Sequence, residues 1–91
     1  MAYNSTDEKS EELCRIVTSS KKIVARKIEN SRGISVDIRE YFDNDDGEEL
    51  PTKKGVRFSS ENVAELVKAM LPMMEKSDIM DIMEIATELT E

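Results

Sequence analysis

The stretch Ile34-Ser35-Val36-Asp37-Ile38-Arg39-Glu40-Tyr41 constrains the fold more than any other part of the chain. Apolar and polar residues alternate there with a period of two. Ile34, Val36 and Ile38 therefore fall on one side of an extended strand, and Ser35, Asp37, Arg39 and Tyr41 on the other. Asn30-Ser31-Arg32-Gly33 just before it supplies turn chemistry, since Asn tolerates and Gly prefers positive φ. A strand entered through such a turn needs a partner immediately upstream, and Ile23 to Ile28, β-branched with basic residues mixed in, provides one. Leu13 to Val17 is a further short apolar run, separated from it by the Ser-rich turn Thr18 to Lys22. Downstream, a turn is expected near Asp46-Gly47, and Pro51 discourages ladder pairing. Alternation resumes at Val56-Arg57-Phe58, enough for a short fourth strand.

The period then changes. Ser59 and Ser60 are candidate helix caps, and Val63, Leu66, Val67, Met70, Leu71 and Met74 follow at helical spacing. Pro72 should kink or end that helix. Ser77-Asp78 reads as a fresh N-terminus for a last helix striped by Ile79, Ile82, Met83, Ala86 and Leu89. The expected fold class is α+β, four antiparallel strands followed by a C-terminal helix kinked or broken near Pro72. Residues 1–11, polar and nearly free of large apolar groups, read as a disordered leader, 12–74 as the folded domain, and 75–91 as an acidic helical extension.

Two amphipathic helical segments exceed what one small sheet needs on its inner face, and a chain of 91 residues has a small core. Self-association into a homodimer would use the surplus stripe of Val63, Leu66, Val67, Met70 and Leu71. Met70, Met73, Met74, Met80 and Met83 cluster in the same region, either as core filling or as an adaptable partner groove.

Several chemistries are excluded or disfavoured. The chain has no histidine and one cysteine, Cys14, which removes the usual neutral-pH proton shuttle, the commonest zinc ligand and any disulfide framework. Asp43-Asn44-Asp45-Asp46-Gly47 resembles part of a calcium loop. With Gly47 at the sixth position, however, Phe42 takes the first ligand position and Lys53 the place of the bidentate Glu, so the motif fails. Asp37 and Glu40 fall on opposite faces of their strand and do not form an acid–base pair. No catalytic residue, metal or cofactor is expected. No apolar run approaches a membrane span and no secretory signal is evident, so a soluble intracellular protein is expected, cytoplasmic or nucleoid-associated in a bacterial or viral setting and nuclear in a eukaryotic one. The sequon Asn4-Ser5-Thr6 then reads as accidental.

The net charge of −7 argues in bulk against a nucleic-acid binder, but the charge is unevenly spread. Arg15, Lys21, Lys22, Arg26, Lys27 and Arg32 meet only Glu29 between residues 15 and 33, whereas acids dominate both ends and the turn at 43–49. Arg39, Lys53, Lys54 and Arg57 are interleaved with Tyr41 and Phe42 around that acidic turn. The pattern fits either an amphipathic hairpin with a solvated turn or one wall of a groove for a flexible polyanion, in which cations track a backbone and an aromatic stacks on bases.

The residues from Ile34 to Leu66, through Val36-Asp37-Ile38-Arg39-Glu40-Tyr41, Phe42, the Gly-containing acidic turn and Pro51-Thr52-Lys53-Lys54-Gly55-Val56, resemble the single-stranded-DNA-binding domain of the positive cofactor four family of transcriptional coactivators. The resemblance covers about Lys21 to Leu71. It implies a curved four-stranded antiparallel sheet and a helix, paired into a twofold homodimer whose sheets form channels for single-stranded DNA. It further implies Arg39 and Lys54 as phosphate-facing cations and Phe42 as a base-stacking aromatic, with Lys53 and Arg57 as weaker members of the set. Lys21, Lys22, Arg26 and Arg32 add basic charge, while the family's other aromatic, near the first hairpin turn, has no counterpart at Asn30, Ser31 or Arg32. Transcription or replication proteins are the implied protein partners. An alternative of the same fold is a protein-interaction dimer that uses its acidic Met-rich helices and binds nucleic acid weakly. Phe42 shares strand parity with Ile38, so a regular strand points it inward, and only a bulge or twist would turn it to DNA.

Overall fold

The computed structural model describes residues 8–91. Asn4-Ser5-Thr6 and the start of the polar leader lie outside them. Four strands, β1 (Lys9–Val17), β2 (Lys22–Asn30), β3 (Gly33–Asp43) and β4 (Glu49–Ser59), form one antiparallel sheet in the order β1-β2-β3-β4. Two helices follow, α1 (Val63–Met70) and α2 (Lys76–Thr90). The chain divides into two compact units, the strands up to Ser60 and the helical part from Glu61. Among the described residues no helix is long and apolar enough to cross a membrane.

Each turn is held by a short side chain that bonds its own backbone. Thr18 Oγ1 accepts the Lys21 N–H at 3.0 Å between β1 and β2. Asn30 Oδ1 accepts the Arg32 N–H at 2.9 Å, and Gly33 takes φ +127°. In the acidic turn Asn44 Oδ1 accepts N–H bonds from Asp46 and Glu48 at 3.0 and 2.8 Å, and Gly47 takes φ +81°. These are the local alternatives to ladder pairing that Asn, Thr and Gly offer.

Three sequence expectations change at the element ends. Lys9, Ser10 and Glu11, read as leader, belong to β1 and lie opposite Glu29, Ile28 and Lys27. β4 is not a three-residue fragment, since it runs from Glu49 and includes Pro51 opposite Tyr41. An edge strand bonds on one side only, which accommodates proline. Neither Ser59 nor Ser60 caps α1. Ser60 opens a 3₁₀ turn through Asn62, and Asn62 stands at the N-cap without a side-chain bond. The break at Pro72 is as expected, for Leu71–Met73 is a 3₁₀ turn and α2 restarts at Lys76.

Register partners share a face, so the pairings sort the sheet into two faces. The mainly apolar face carries Ile16 of β1, Ile23 and Ala25 of β2, Ile34, Val36, Ile38 and Phe42 of β3, and Leu50, Val56 and Phe58 of β4, with Lys27, Glu29 and Glu40 among them. The polar face carries Glu12 and Arg15, then Lys22, Val24, Arg26 and Ile28, then Asp37, Arg39 and Tyr41, then Glu49 and Arg57. Glu12 and Arg15 share a face despite their odd spacing because β1 bulges at Leu13, between the pairs Glu12↔Arg26 and Cys14↔Ala25.

The buried residues lie on the polar face, whereas the parity argument for Phe42 took the face of Ile38 as the inward one. Val24 is fully buried, and Ile28 and Asp37 are each 3% exposed, whereas Ile34 and Val56 remain exposed. The sheet curls toward its polar side until side chains of its outermost strands meet. Arg15 of β1 bonds Glu49 of β4 at 3.0 and 3.1 Å, and Glu8, just before β1, reaches Arg57 of β4 at 3.5 Å. Val24 sits in register between Arg15 and Arg39, whose methylene stems supply apolar cover.

Candidate nucleic-acid interface

The polar face is a ladder of cations, each met by a carboxylate. Arg15 donates to both oxygens of Glu12 at 2.8 Å and to both of Glu49. Lys22 donates to Asp43 at 2.8 Å and to Glu49 at 3.0 Å. Arg26 donates to Ser10 Oγ at 2.6 Å and stands 3.9 Å from Glu12. Arg39 forks onto Asp37 at 3.0 and 3.1 Å, and Arg57 reaches the same carboxylate at 3.3 Å. No buried side-chain polar atom among the described residues lacks a partner.

These contacts shift the titrating groups in one sense. Hydrogen bonds from Arg15 and Lys22 draw the Glu49 carboxyl down to about 2, and the bond from Arg15 lowers Glu12. Burial pushes Asp37 up, but the guanidiniums of Arg39 and Arg57 pull it down and prevail. Asp43 and Glu49 raise Lys22, Glu12 and Glu49 raise Arg15, and Asp37 raises Arg39.

A second construction surrounds β3 and β4 where their register shifts between Arg39 and Tyr41. Three β4 residues, Thr52, Lys53 and Lys54, stand against Glu40 alone. Thr52 secures this irregularity. Its hydroxyl donates to the Glu40 carbonyl at 2.8 Å and accepts the Lys54 N–H at 3.1 Å, while its carbonyl accepts Arg39 Nη1 at 3.0 Å. Gly55, opposite Arg39, permits the close approach, because a Cβ there would stand 2.6 Å from the Ile38 carbonyl oxygen and 2.8 Å from Arg39 Cα. Lys53 and Lys54 are exposed on this edge.

The residues expected to form one site are therefore distributed. Lys22, Arg26, Arg39 and Arg57 converge on the polar face. Lys21 and Arg32 occupy the two turns, and Lys53 and Lys54 the irregular edge. Among the described residues none of Lys21, Arg32, Lys53 and Lys54 forms an ion pair. Phe42 keeps the parity of Ile38, since the β2–β3 register runs unbroken to Lys22↔Tyr41, yet it is 46% exposed. It shares an open recess with Val17, Ser19, Lys21 and Tyr41 at the β1–β2 turn.

Three residues outside the expected set belong to this geometry. Arg15 enters the polar face through the Leu13 bulge, which no sequence pattern announces. Tyr41 is the aromatic on the face of Arg39, a placement that the alternation of β3 already implies. Phe58 lines a recess with Asn30, Arg32 and Arg57, so an aromatic from β4 stands at the hairpin turn that has none of its own. Only the pairing of β4 with β3 brings it there.

The chain finds no match among curated proteins and none among solved structures. A family model described as Transcriptional Coactivator p15 (PC4) matches residues 19–69, from the first hairpin turn through β2, β3 and β4 into α1. That match spans more than half of the sequence and takes in Tyr41, Phe42, the Thr52 irregularity and four of the paired cations. On this ground the chain belongs to the transcriptional coactivator p15 (PC4) family.

Proposed function

We propose that the protein is a homodimeric, largely sequence-independent single-stranded-DNA-binding protein acting in transcription, replication or recombination, and not a catalyst. The carrying observation is the gathering of Arg15, Lys22, Arg26, Arg39 and Arg57 on one curved face beside Tyr41. Guanidinium forks suit phosphate oxygens, and an aromatic ring stacks on any base. Lys53 and Lys54 extend the positive surface along the edge of β4, and Phe42 with Lys21 offers a second stacking point at the β1–β2 turn. Membership of a coactivator family supports nucleic acid as the polyanion.

The dimer rests on the apolar stripe of α1. Val63 and Leu71 are half-buried, and Leu66, Val67 and Met70 are exposed in the chain by itself. A twofold partner would remove this stripe from water.

A protein-interaction dimer is the competing reading, favoured by α2. Asp78, Asp81, Glu84 and Glu88 follow one another at three- and four-residue spacing along it, and no basic residue lies beyond Lys76. Titration of labelled oligothymidine at low and moderate salt separates the readings. Saturable binding at micromolar protein that weakens with salt is the expected result, and its absence favours the protein-interaction reading. Sedimentation at tens of micromolar protein should give a dimer, and Leu66→Glu should dissociate or unfold it.

A further inference from the structure

Glu49 sits where the charge of the polar face is densest. Its two oxygens accept Arg15 Nη1 at 3.1 Å and Nη2 at 3.0 Å, and Oε2 also accepts Lys22 Nζ at 3.0 Å. A guanidinium fork closed on two oxygens of one acid group, with an ammonium beside it, is the arrangement that also receives a phosphodiester. Glu49 reaches this position from the far edge of the sheet, because β4 and β1 are the outermost strands and only the curl brings them together. Each group keeps contact with solvent, the side chains being 38% (Arg15), 27% (Lys22) and 27% (Glu49) exposed. One anion can therefore replace another without opening the core.

We infer that Arg15 and Lys22 form a phosphate subsite which Glu49 occupies in the free protein, so that a phosphate of single-stranded DNA enters it only by displacing the Glu49 carboxylate. This rests on the nucleic-acid reading above. The exchange is noncovalent and conserves charge at the site, one singly charged acid leaving as another arrives. It has a thermodynamic signature. A cation that trades a carboxylate for a phosphate releases the counterion of the DNA as any phosphate contact does, but it forfeits its internal pair. Affinity is thereby held down. Glu49 also gives the face selectivity, for a weakly held anion does not dislodge a carboxylate already fixed by three hydrogen bonds.

The test compares oligothymidine binding by the wild type with three variants across a salt series. Glu49→Gln removes the one carboxylate shared by Arg15 and Lys22, leaving Glu12 on the first and Asp43 on the second, and should tighten binding roughly twofold to fivefold, the range that partly exposed ion pairs support. Glu49→Asp keeps the charge but shortens the reach by one methylene. It should tighten binding in the same direction by less, which separates displacement from net charge and keeps the inference testable should Glu49→Gln fail to fold. Asp45→Asn, in the acidic turn and outside the cluster, makes the same charge change as Glu49→Gln and should alter affinity less than twofold. Binding by Glu49→Gln with wild-type affinity, or a gain matched by Asp45→Asn, overturns the inference while the nucleic-acid reading stands. No binding by the wild type or any variant overturns both. Binding by Glu49→Gln where the wild type shows none supports both.

Discussion

The two faces of the sheet solve opposite problems. On the polar face, ten charged and polar groups from four strands satisfy one another, and the most deeply buried residues, Val24, Ile28 and Asp37, lie among them. On the apolar face, Ile16, Ile34, Phe42 and Val56 stay exposed although they are the residues that water rejects. The difference lies in reach. Arg, Lys and Glu extend far enough to bridge a curling sheet from edge to edge, whereas Val and Ile cannot, so the polar side closes on itself and the apolar side does not. Polarity in this fold does not mark the outside.

The strongest way to break that comparison is at Asp37, the one buried carboxylate among the described residues. Asp37→Asn leaves the guanidiniums of Arg39 and Arg57 facing a neutral amide and should cost about 2 to 3 kcal/mol in urea unfolding. Val56→Thr, on the apolar face at 57% exposure, should change stability by less than about 0.5 kcal/mol. A comparable loss at Val56 would mean that the apolar face is covered in solution.

Gly55 tests the boundary between the faces. Gly55→Ala drives a methyl group toward the Ile38 carbonyl and should cost about 2 kcal/mol, as overpacking does. The reporter is the Thr52 irregularity, since amide exchange at Lys54 should accelerate if its bond to Thr52 is lost.

The aromatics sharpen the comparison, one on each face. If nucleic acid follows the polar face, Tyr41→Leu should weaken oligothymidine binding by at least about 1 kcal/mol, with Phe42→Ala less damaging. The reverse order would place the strand over the β1–β2 turn, beside Phe42 and Lys21. The salt slope should be unchanged in both variants, because neither removes a charge.

The smallest effect is in acid. Glu49, Glu12 and Asp37 have folded values below their unfolded ones, so their contribution is complete above the ordinary carboxylate range and disappears as pH falls through the folded values. For Glu49 the window runs from 4.5 down to about 2. The thermal unfolding temperature should fall progressively as pH drops across it, and Glu49→Gln should flatten that part of the profile.

Much of this was legible in the residues. The alternation of β3 placed Arg39 and Tyr41 together and Phe42 with Ile38, and the register agrees. The turn at Asn30 to Gly33 and the break at Pro72 followed from backbone chemistry that glycine and proline impose regardless of context. What stayed hidden depended on partners distant in sequence. Alternation names two faces but not which one the sheet curls toward, so the face of Ile38 read as inward while burial fell to Val24 and Ile28 on the other. Pro51 read as a stop because edge and centre strands look alike in a sequence. The cationic set was only partly gathered, since the positions of Arg15 and Phe58 depend on a bulge and on the β3–β4 pairing.

The extra residue in β1 has a consequence for how such a surface can change. Strand parity is a reading frame, and Leu13 is an insertion in it. Removing that one residue would set Glu12 and Arg15 two apart, so that regular alternation alone would keep them on one face and the pairings from Glu12↔Arg26 to Arg15↔Val24 would stand without the bulge. Taking Leu13 into the ladder as an ordinary paired residue would instead turn Arg15 to the face opposite Glu12 and deprive Glu49 of its principal partner. Loss of the bulge with the residue kept would thus rewrite the electrostatics of a whole face without altering a single side chain, whereas loss of the residue would leave that face as it is.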